Sequence, residues 1–269
     1  MIIDIHTHLD DVVGGSKVLV GQKRKEYQRW IANLSMMRDY LNGLAKLNQE
    51  IADDGKVFAC ALSIEPNSDF EKLLEYQSQE PRILPFISPD FTLSDYDMIE
   101  RVERFARHSY GMKIHPIIQG YRVNDRRVLE AVKGYSRFNK PVILHTGQAD
   151  YGNYFEPCPY DKTLSDIEST IELVEAFPDV TFILGHAGMF EHVEWAKRLS
   201  QYPNVYIDSS FKYANELQLL KDYYGTDRIL FGSDFPFHEP SDIDDVKETF
   251  TEEEQVRVFS GNARKILKL

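Results

Sequence analysis

Two histidines one residue apart, His6 and His8, end an opening run, Ile2-Ile3-Asp4-Ile5-His6-Thr7-His8. On an extended backbone, side chains repeat every second residue. Asp4, His6 and His8 are therefore expected on one face and Ile3, Ile5 and Thr7 on the other. Two imidazoles in that relation can give one metal ion two nitrogen ligands. Other reactive residues recur at the ends of short apolar runs. Lys113 and His115 end the run from Tyr110, His145 the run from Pro141, and His186 the run from Val180; Asp208 and Asp234 end those from Val205 and Ile229. Five of the eight histidines hold such ends, a placement that scattered structural histidines would not repeat.

These ends need elements to carry them. Apolar, β-branched-rich runs at about residues 2–8, 57–64, 82–88, 110–115, 141–145, 180–186, 205–208 and 229–234 predict eight strands. Amphipathic helices are expected between them, at about 69–79, 94–108, 125–138, 165–176, 191–200 and 215–224, with closing helices near 243–250 and 252–267. The first connection is longer, with a helical pattern from about Lys23 to Asp53. Eight such units at this length imply parallel strands joined by right-handed crossovers and closed into a single-domain (β/α)8 barrel over residues 1–269. No Gly-x-Gly-x-x-Gly turn follows an early strand, which disfavours a doubly wound dinucleotide-binding sheet. In a parallel barrel the carboxyl ends of the strands meet at one rim, so residues spread from position 6 to position 234 can converge.

Composition narrows the functions. The chain has 269 residues, 42% of them hydrophobic, and a formal net charge of −12 with no basic block. A nucleic-acid footprint or an anionic membrane partner is disfavoured. Cys60 and Cys158 are too few and too far apart for a disulfide framework, and neither a signal peptide nor a membrane-spanning run stands out. The expectation is a cytoplasmic enzyme with a small-molecule substrate, one that can also form homo-oligomers.

The ordered set His6-x-His8, Gly111-Met-Lys113, Leu144-His145-Thr-Gly147, Gly185-His186-Ala-Gly188 and Gly232-Ser-Asp234-x-Pro236 resembles the metal-site motifs of the amidohydrolase superfamily. More narrowly, it resembles the amidohydrolase-related branch, and the closing Gly261-Asn262-Ala263-Arg264 is similar to that branch's C-terminal helix. The resemblance implies a metal-dependent barrel and a family containing hydrolases, non-oxidative decarboxylases and hydratases.

His6, His8, His145 and Asp234 make the most economical ligand set: three neutral nitrogens, one carboxylate and a position left for water. These ligands suit Zn²⁺ best, and Mn²⁺ and Fe²⁺ accept them too. A metal there would lower the pKa of its water toward ~7. Asp234 is expected both to touch the metal and to take a proton; His186 is either a further ligand or, as the resemblance suggests, an acid/base beside the metal. In binuclear relatives a lysine at the position of Lys113 is carboxylated and bridges two ions. The expectation here is one ion and an unmodified Lys113. His115 faces the same way and can meet metal, substrate or a hydrogen-bond partner.

The loops offer cations and rings for a small acid or lactone with a planar part: Tyr121 and Arg122 first, with Lys17, Lys23, Arg24, Gln119, Asp150, Tyr151, Tyr154, Phe235, Phe237 and His238 around them. Asp4, deep on the ligand face, is expected to support the ligands from behind or to be structural, not catalytic. The leading reading is a metal-dependent hydrolase of a small amide, lactone or ester. The alternative is a lyase that decarboxylates or hydrates an aromatic or dienoic acid at the same site. A catalytically inert binding barrel is disfavoured because every rim residue is present.

Overall fold

Eight short runs, buried on both faces, pair side by side in chain order: β1 (Ile2–Thr7), β2 (Val57–Leu62), β3 (Ile83–Ile87), β4 (Gly111–Ile114), β5 (Val142–His145), β6 (Phe182–Gly185), β7 (Val205–Asp208) and β8 (Ile229–Leu230). Every pairing is parallel. This computed structural model describes residues 1–9, 32–51, 56–149, 151, 158–237 and 242–269.

The helices are α1 (Leu34–Ile51), α2 (Phe70–Gln79), α3 (Asp95–Phe105), α4 (Pro116–Gln119), α5 (Arg126–Ser136), α6 (Ile167–Ala176), α7 (His192–Leu199), α8 (Ala214–Tyr224), α9 (Asp242–Thr249), α10 (Glu252–Val256) and α11 (Asn262–Leu267). Several begin at an acceptor side chain, as at Ser94 before α3 and Asp166 before α6, which satisfies backbone N–H groups that lack helical partners. Among the described residues no helix is long and apolar enough to cross a membrane.

The sheet closes without a regular ladder between β8 and β1. β8 stops at Leu230 instead of reaching Asp234 as its apolar run suggested, because the Phe231 N–H goes to the Val258 carbonyl and the Gly232 N–H to the Ser209 hydroxyl rather than to a strand backbone. The following segment still seals the barrel: Ile5 N–H donates to the Phe231 carbonyl at 2.9 Å, Asp234 N–H to that of His6 at 2.8 Å, and His8 N–H to that of Phe235 at 2.7 Å. The expected closing helix at 252–267 is broken by a π turn over Arg257–Gly261, where the Val258 carbonyl accepts Phe231 N–H at 3.0 Å. Of the expected Lys23–Asp53 helix, α1 is the described part; residues 23–31 and 52–53 lie outside the described residues.

Strand alternation sorts the apolar side chains into two layers. Val142, Leu144, Phe182 and Leu184 pack outward with helix residues such as Leu41, Leu73 and Leu173. Ile143, Ile183, Leu84, Phe86 and Leu230 point inward, together with Ala263 and Leu267 of α11. In β1 the alternation expected from the sequence fails at one point. Between Asp4 and Thr7 it advances three residues while β2 advances two, from Ala59 to Ala61. A bulge of this kind re-aims the side chains on either side of it. Ile3 and Ile5 join the inner layer, while Asp4 meets Tyr40 of α1. Asp4 and His6 therefore do not share a face.

Candidate metal centre

The ends of β1, β4, β5, β6 and β7 and the turn after β8 deliver one polar cluster into the barrel mouth, and hydrogen-bond polarity fixes the proton on most of its rings. His6 Nδ1 lies 2.7 Å from Asp208 Oδ2. A carboxylate only accepts, so this nitrogen carries the proton and Nε2 is the bare lone pair. His8 Nδ1 donates to the Leu62 carbonyl at 3.2 Å, which leaves its Nε2 bare as well. Both bare nitrogens converge on Asp234 Oδ1, at 3.2 Å from His6 and 3.1 Å from His8. That oxygen is buried and has no hydrogen-bond donor, and His145 Nε2 is likewise buried without a partner.

Lone pairs facing one another with no proton between them repel unless a cation lies among them. Two ring nitrogens and a carboxylate oxygen, those of His6, His186 and Asp234, thus fit a divalent metal: one ligand atom from each lies within 4.8 Å of the others.

His186 is held by the same aspartate. Its Nδ1 lies 2.7 Å from Ser210 Oγ, Ser210 Oγ donates to Asp208 Oδ1 at 2.6 Å, and the His186 backbone N–H donates to that oxygen at 2.9 Å. Asp208 therefore orients two imidazoles, one through each oxygen. Burial first, then neighbouring cationic groups, hold His6, His115, His145 and His186 well below the ordinary histidine range, so these rings are neutral at pH 7. Burial lowers the Lys113 ammonium to about 8, opposed by Asp234 and Asp208; its Nζ donates to His6 Nε2 at 3.1 Å. Burial raises Asp4 to about 7, opposed by its hydrogen bonds to Ser233, Tyr40 and His6.

Close approach demands glycine at the end of β6. A Cβ on Gly185 would come within 2.9 Å of His6 Cε1 and 2.8 Å of the Leu144 carbonyl oxygen. His186 follows with a φ of 62°, a conformation that costs free energy in a non-glycine residue and clusters at functional sites.

Rings frame the cluster. His115 stacks on His145 with centroids 4.0 Å apart, Phe211 meets His186 edge-on at 5.3 Å, and Phe237 meets His8 edge-on at 5.8 Å. Ile118 N–H donates to His115 Nδ1, so the neutral His115 carries its proton on Nε2 and donates to Tyr151 Oη at 3.1 Å.

His6, His8, Lys113, His115, His145, His186 and Asp234 thus come together, as their positions predicted. Tyr121 and Arg122 do not join them: Arg122 pairs with Asp166 at the surface, and Tyr121 packs on Phe91 and accepts from Arg127 at 3.2 Å. Gln119 is spent on backbone and Ser88 contacts, and Phe235 stacks on Tyr40. Lys17, Lys23, Arg24, Asp150, Tyr154 and His238 lie outside the described residues. Asp208 stands at a strand end in the sequence but carries no predicted role, and Ser210 and Phe211, two and three residues further on, have no local signal of their own.

An eight-stranded parallel barrel with its ionisable groups at the carboxyl ends of the strands is the architecture of (β/α)8 enzymes. The chain belongs to the amidohydrolase family: the family model described as Amidohydrolase (Amidohydro_2) matches residues 3–269. No curated protein matches the sequence. Among solved structures, 2,6-dihydroxybenzoate decarboxylase from Rhizobium aligns with a TM-score of 0.70 at 18% identity, over 99% of this chain and 98% of that one. Manganese-bound 5-carboxyvanillate decarboxylase from Novosphingobium aromaticivorans aligns with a TM-score of 0.73 at 12% identity, over 100% and 97%. A Staphylococcus aureus protein described as a putative amidohydrolase aligns with a TM-score of 0.65 at 19% identity, over 100% and 99%.

Proposed function

We propose that this protein is a metal-dependent, non-oxidative decarboxylase of a small aromatic acid with an oxygen substituent beside the carboxylate. This places the lyase reading ahead of the hydrolase reading that led from sequence. The observation that carries it is the set of flat side chains around the polar cluster: Phe211 at His186, Phe237 at His8, and Tyr151 at His115. Planar apolar walls around a few convergent polar atoms suit a ring-bearing acid. The recurrence of aromatic-acid decarboxylases among structures that overlay the whole chain supports the same choice.

In this reading His6, His8, His145 and Asp234 hold one divalent ion, Zn²⁺ or Mn²⁺. When bound, that ion supplies a Lewis acid for the substrate's carboxylate and neighbouring oxygen. Lys113 is the buried ammonium available to the substrate anion. The Tyr151 hydroxyl accepts from His115 and so keeps its own proton for a substrate oxygen. Asp234 takes the proton of the substrate's ring hydroxyl and delivers it to the ring carbon that bears the carboxylate. The carbon–carbon bond then breaks, CO2 leaves, its bonding pair restores the aromatic ring, and the ring oxygen is reprotonated from solvent. His186, neutral and fixed through Ser210, stands beside the reacting group as the second proton carrier.

The test is an assay of metal-loaded protein against a hydroxybenzoate panel and a lactone panel. CO2 release from the first, abolished in Asp234→Asn, is expected. Lactone hydrolysis without CO2 release would return the hydrolase reading to first place.

A further inference from the structure

We propose that Tyr40, on the helix inserted after β1, is a positioning residue for the metal centre: through Asp4 it fixes the β1 end bearing His6 and His8 against the turn bearing Asp234. This rests on the metal-binding reading above. Alternation with the inward Ile3 and Ile5 turns Asp4 out of the barrel toward α1, where its carboxylate accepts four hydrogen bonds, and the bulge that follows brings His6 back to the barrel side. Oδ1 takes the backbone N–H of His6 at 3.0 Å and that of Ser233 at 3.1 Å. Oδ2 takes the Ser233 hydroxyl at 2.6 Å and the Tyr40 hydroxyl.

Two of these donors immediately flank the cluster: the N–H of His6 itself and that of Ser233, one residue before Asp234. Four bonds fill the carboxylate's acceptor sites, so its orientation is set only when all are made. Tyr40 is the one donor that comes from outside the two strand ends. Its hydroxyl also lies 3.0 Å from Ser233 Oγ, and its ring stacks on Phe235, the residue after Asp234, with centroids 4.4 Å apart and planes 16° from parallel. A buried side chain of α1 therefore grips both neighbours of Asp234 while holding the carboxylate that holds His6. Direct hydrogen-bond partners of ligating side chains typically change metal affinity by about 10–100-fold, and Tyr40, acting through Asp4 on the backbone beside the ligands, is expected at the low end of that range.

The experiment compares wild type, Tyr40→Phe, Asp4→Asn and Tyr135→Phe, each loaded with Co²⁺. It reads Co²⁺ affinity by chelator competition, the visible d–d spectrum and the melting temperature of the metal-free protein. Tyr135→Phe is the control, since it removes a buried tyrosine hydroxyl bonded to Ser109 at 2.9 Å. The expected result is an affinity about tenfold weaker and an altered spectrum in Tyr40→Phe, with a similar change in Asp4→Asn, while Tyr135→Phe binds Co²⁺ as wild type does even where its melting temperature falls. Should Tyr40→Phe not fold, the Asp4→Asn readings decide by the same criterion. Wild-type affinity and spectrum in Tyr40→Phe would overturn the inference alone. Failure of the wild type to bind Co²⁺ would overturn the metal reading and the inference with it.

Discussion

Asp208 Oδ2 lies 2.7 Å from His6 Nδ1 across 202 positions of sequence, while Oδ1 of the same carboxylate takes the His186 backbone N–H and the Ser210 hydroxyl. One carboxylate on β7 thereby sets the tautomer of a ring on β1 and the placement of a ring after β6. Asp208→Asn keeps an acceptor but loses the charge, and Asp208→Ala loses both. Divalent-metal affinity is expected to fall about tenfold in the first and toward a hundredfold in the second. Chelator competition measures it; equal affinities in all three proteins would remove Asp208 from the account.

The Lys113 ammonium donates to the same nitrogen, His6 Nε2, that a metal would need. Its pKa is lowered to about 8, so the repelling charge disappears as pH rises through that value. Wild-type metal affinity should accordingly strengthen between pH 7 and pH 9. Lys113→Met should bind metal several-fold more tightly at pH 7 and show a flatter profile over that interval. Its KM for the acid substrate should rise, because a buried cation has gone. Isothermal titration at three pH values tests this. A variant that instead binds one ion where wild type binds two would establish the bridging, carboxylated lysine.

Acid stability has a separate local source. Glu254 at the start of α10 is held down to about 2, chiefly by the Lys221 ammonium at 2.8 Å and then by the Thr251 backbone N–H. A depressed carboxyl contributes stability that is present above its unfolded value of about 4.5 and is lost as pH falls from there toward 2. Glu254→Gln should melt about 2–4 °C below wild type at pH 7, and the two curves should converge as pH approaches 2. A gap that persists undiminished at pH 2.5 would place the effect elsewhere.

The barrel was legible because buried parallel strands must be short and apolar, and the rim residues because each ends such a run. Other features lie beyond local patterning. The β1 bulge is one: Ile2–His8 reads as pure alternation, and only pairing with Val57–Leu62 reveals the extra residue. Asp208 is another, since a carboxylate's type is visible but its partner 202 positions away is not. Tyr121 and Arg122 looked available as loop residues, yet Phe91, Arg127 and Asp166 from other elements engage them first. The early end of β8 was hidden because its run stays apolar through Phe231, while the acceptors that draw its N–H groups off the ladder, the Val258 carbonyl and the Ser209 hydroxyl, lie elsewhere in the chain.

Whether His6, His8, His145 and Asp234 hold a single divalent ion is tested most directly by metal content per chain after loading with Mn²⁺ or Zn²⁺ and exhaustive dialysis. One ion per chain is expected in wild type, and a large loss on His145→Ala, which removes the buried Nε2 that has no other partner. A wild-type protein that retains no metal, or a His145→Ala variant that retains one full equivalent, would contradict this ligand set.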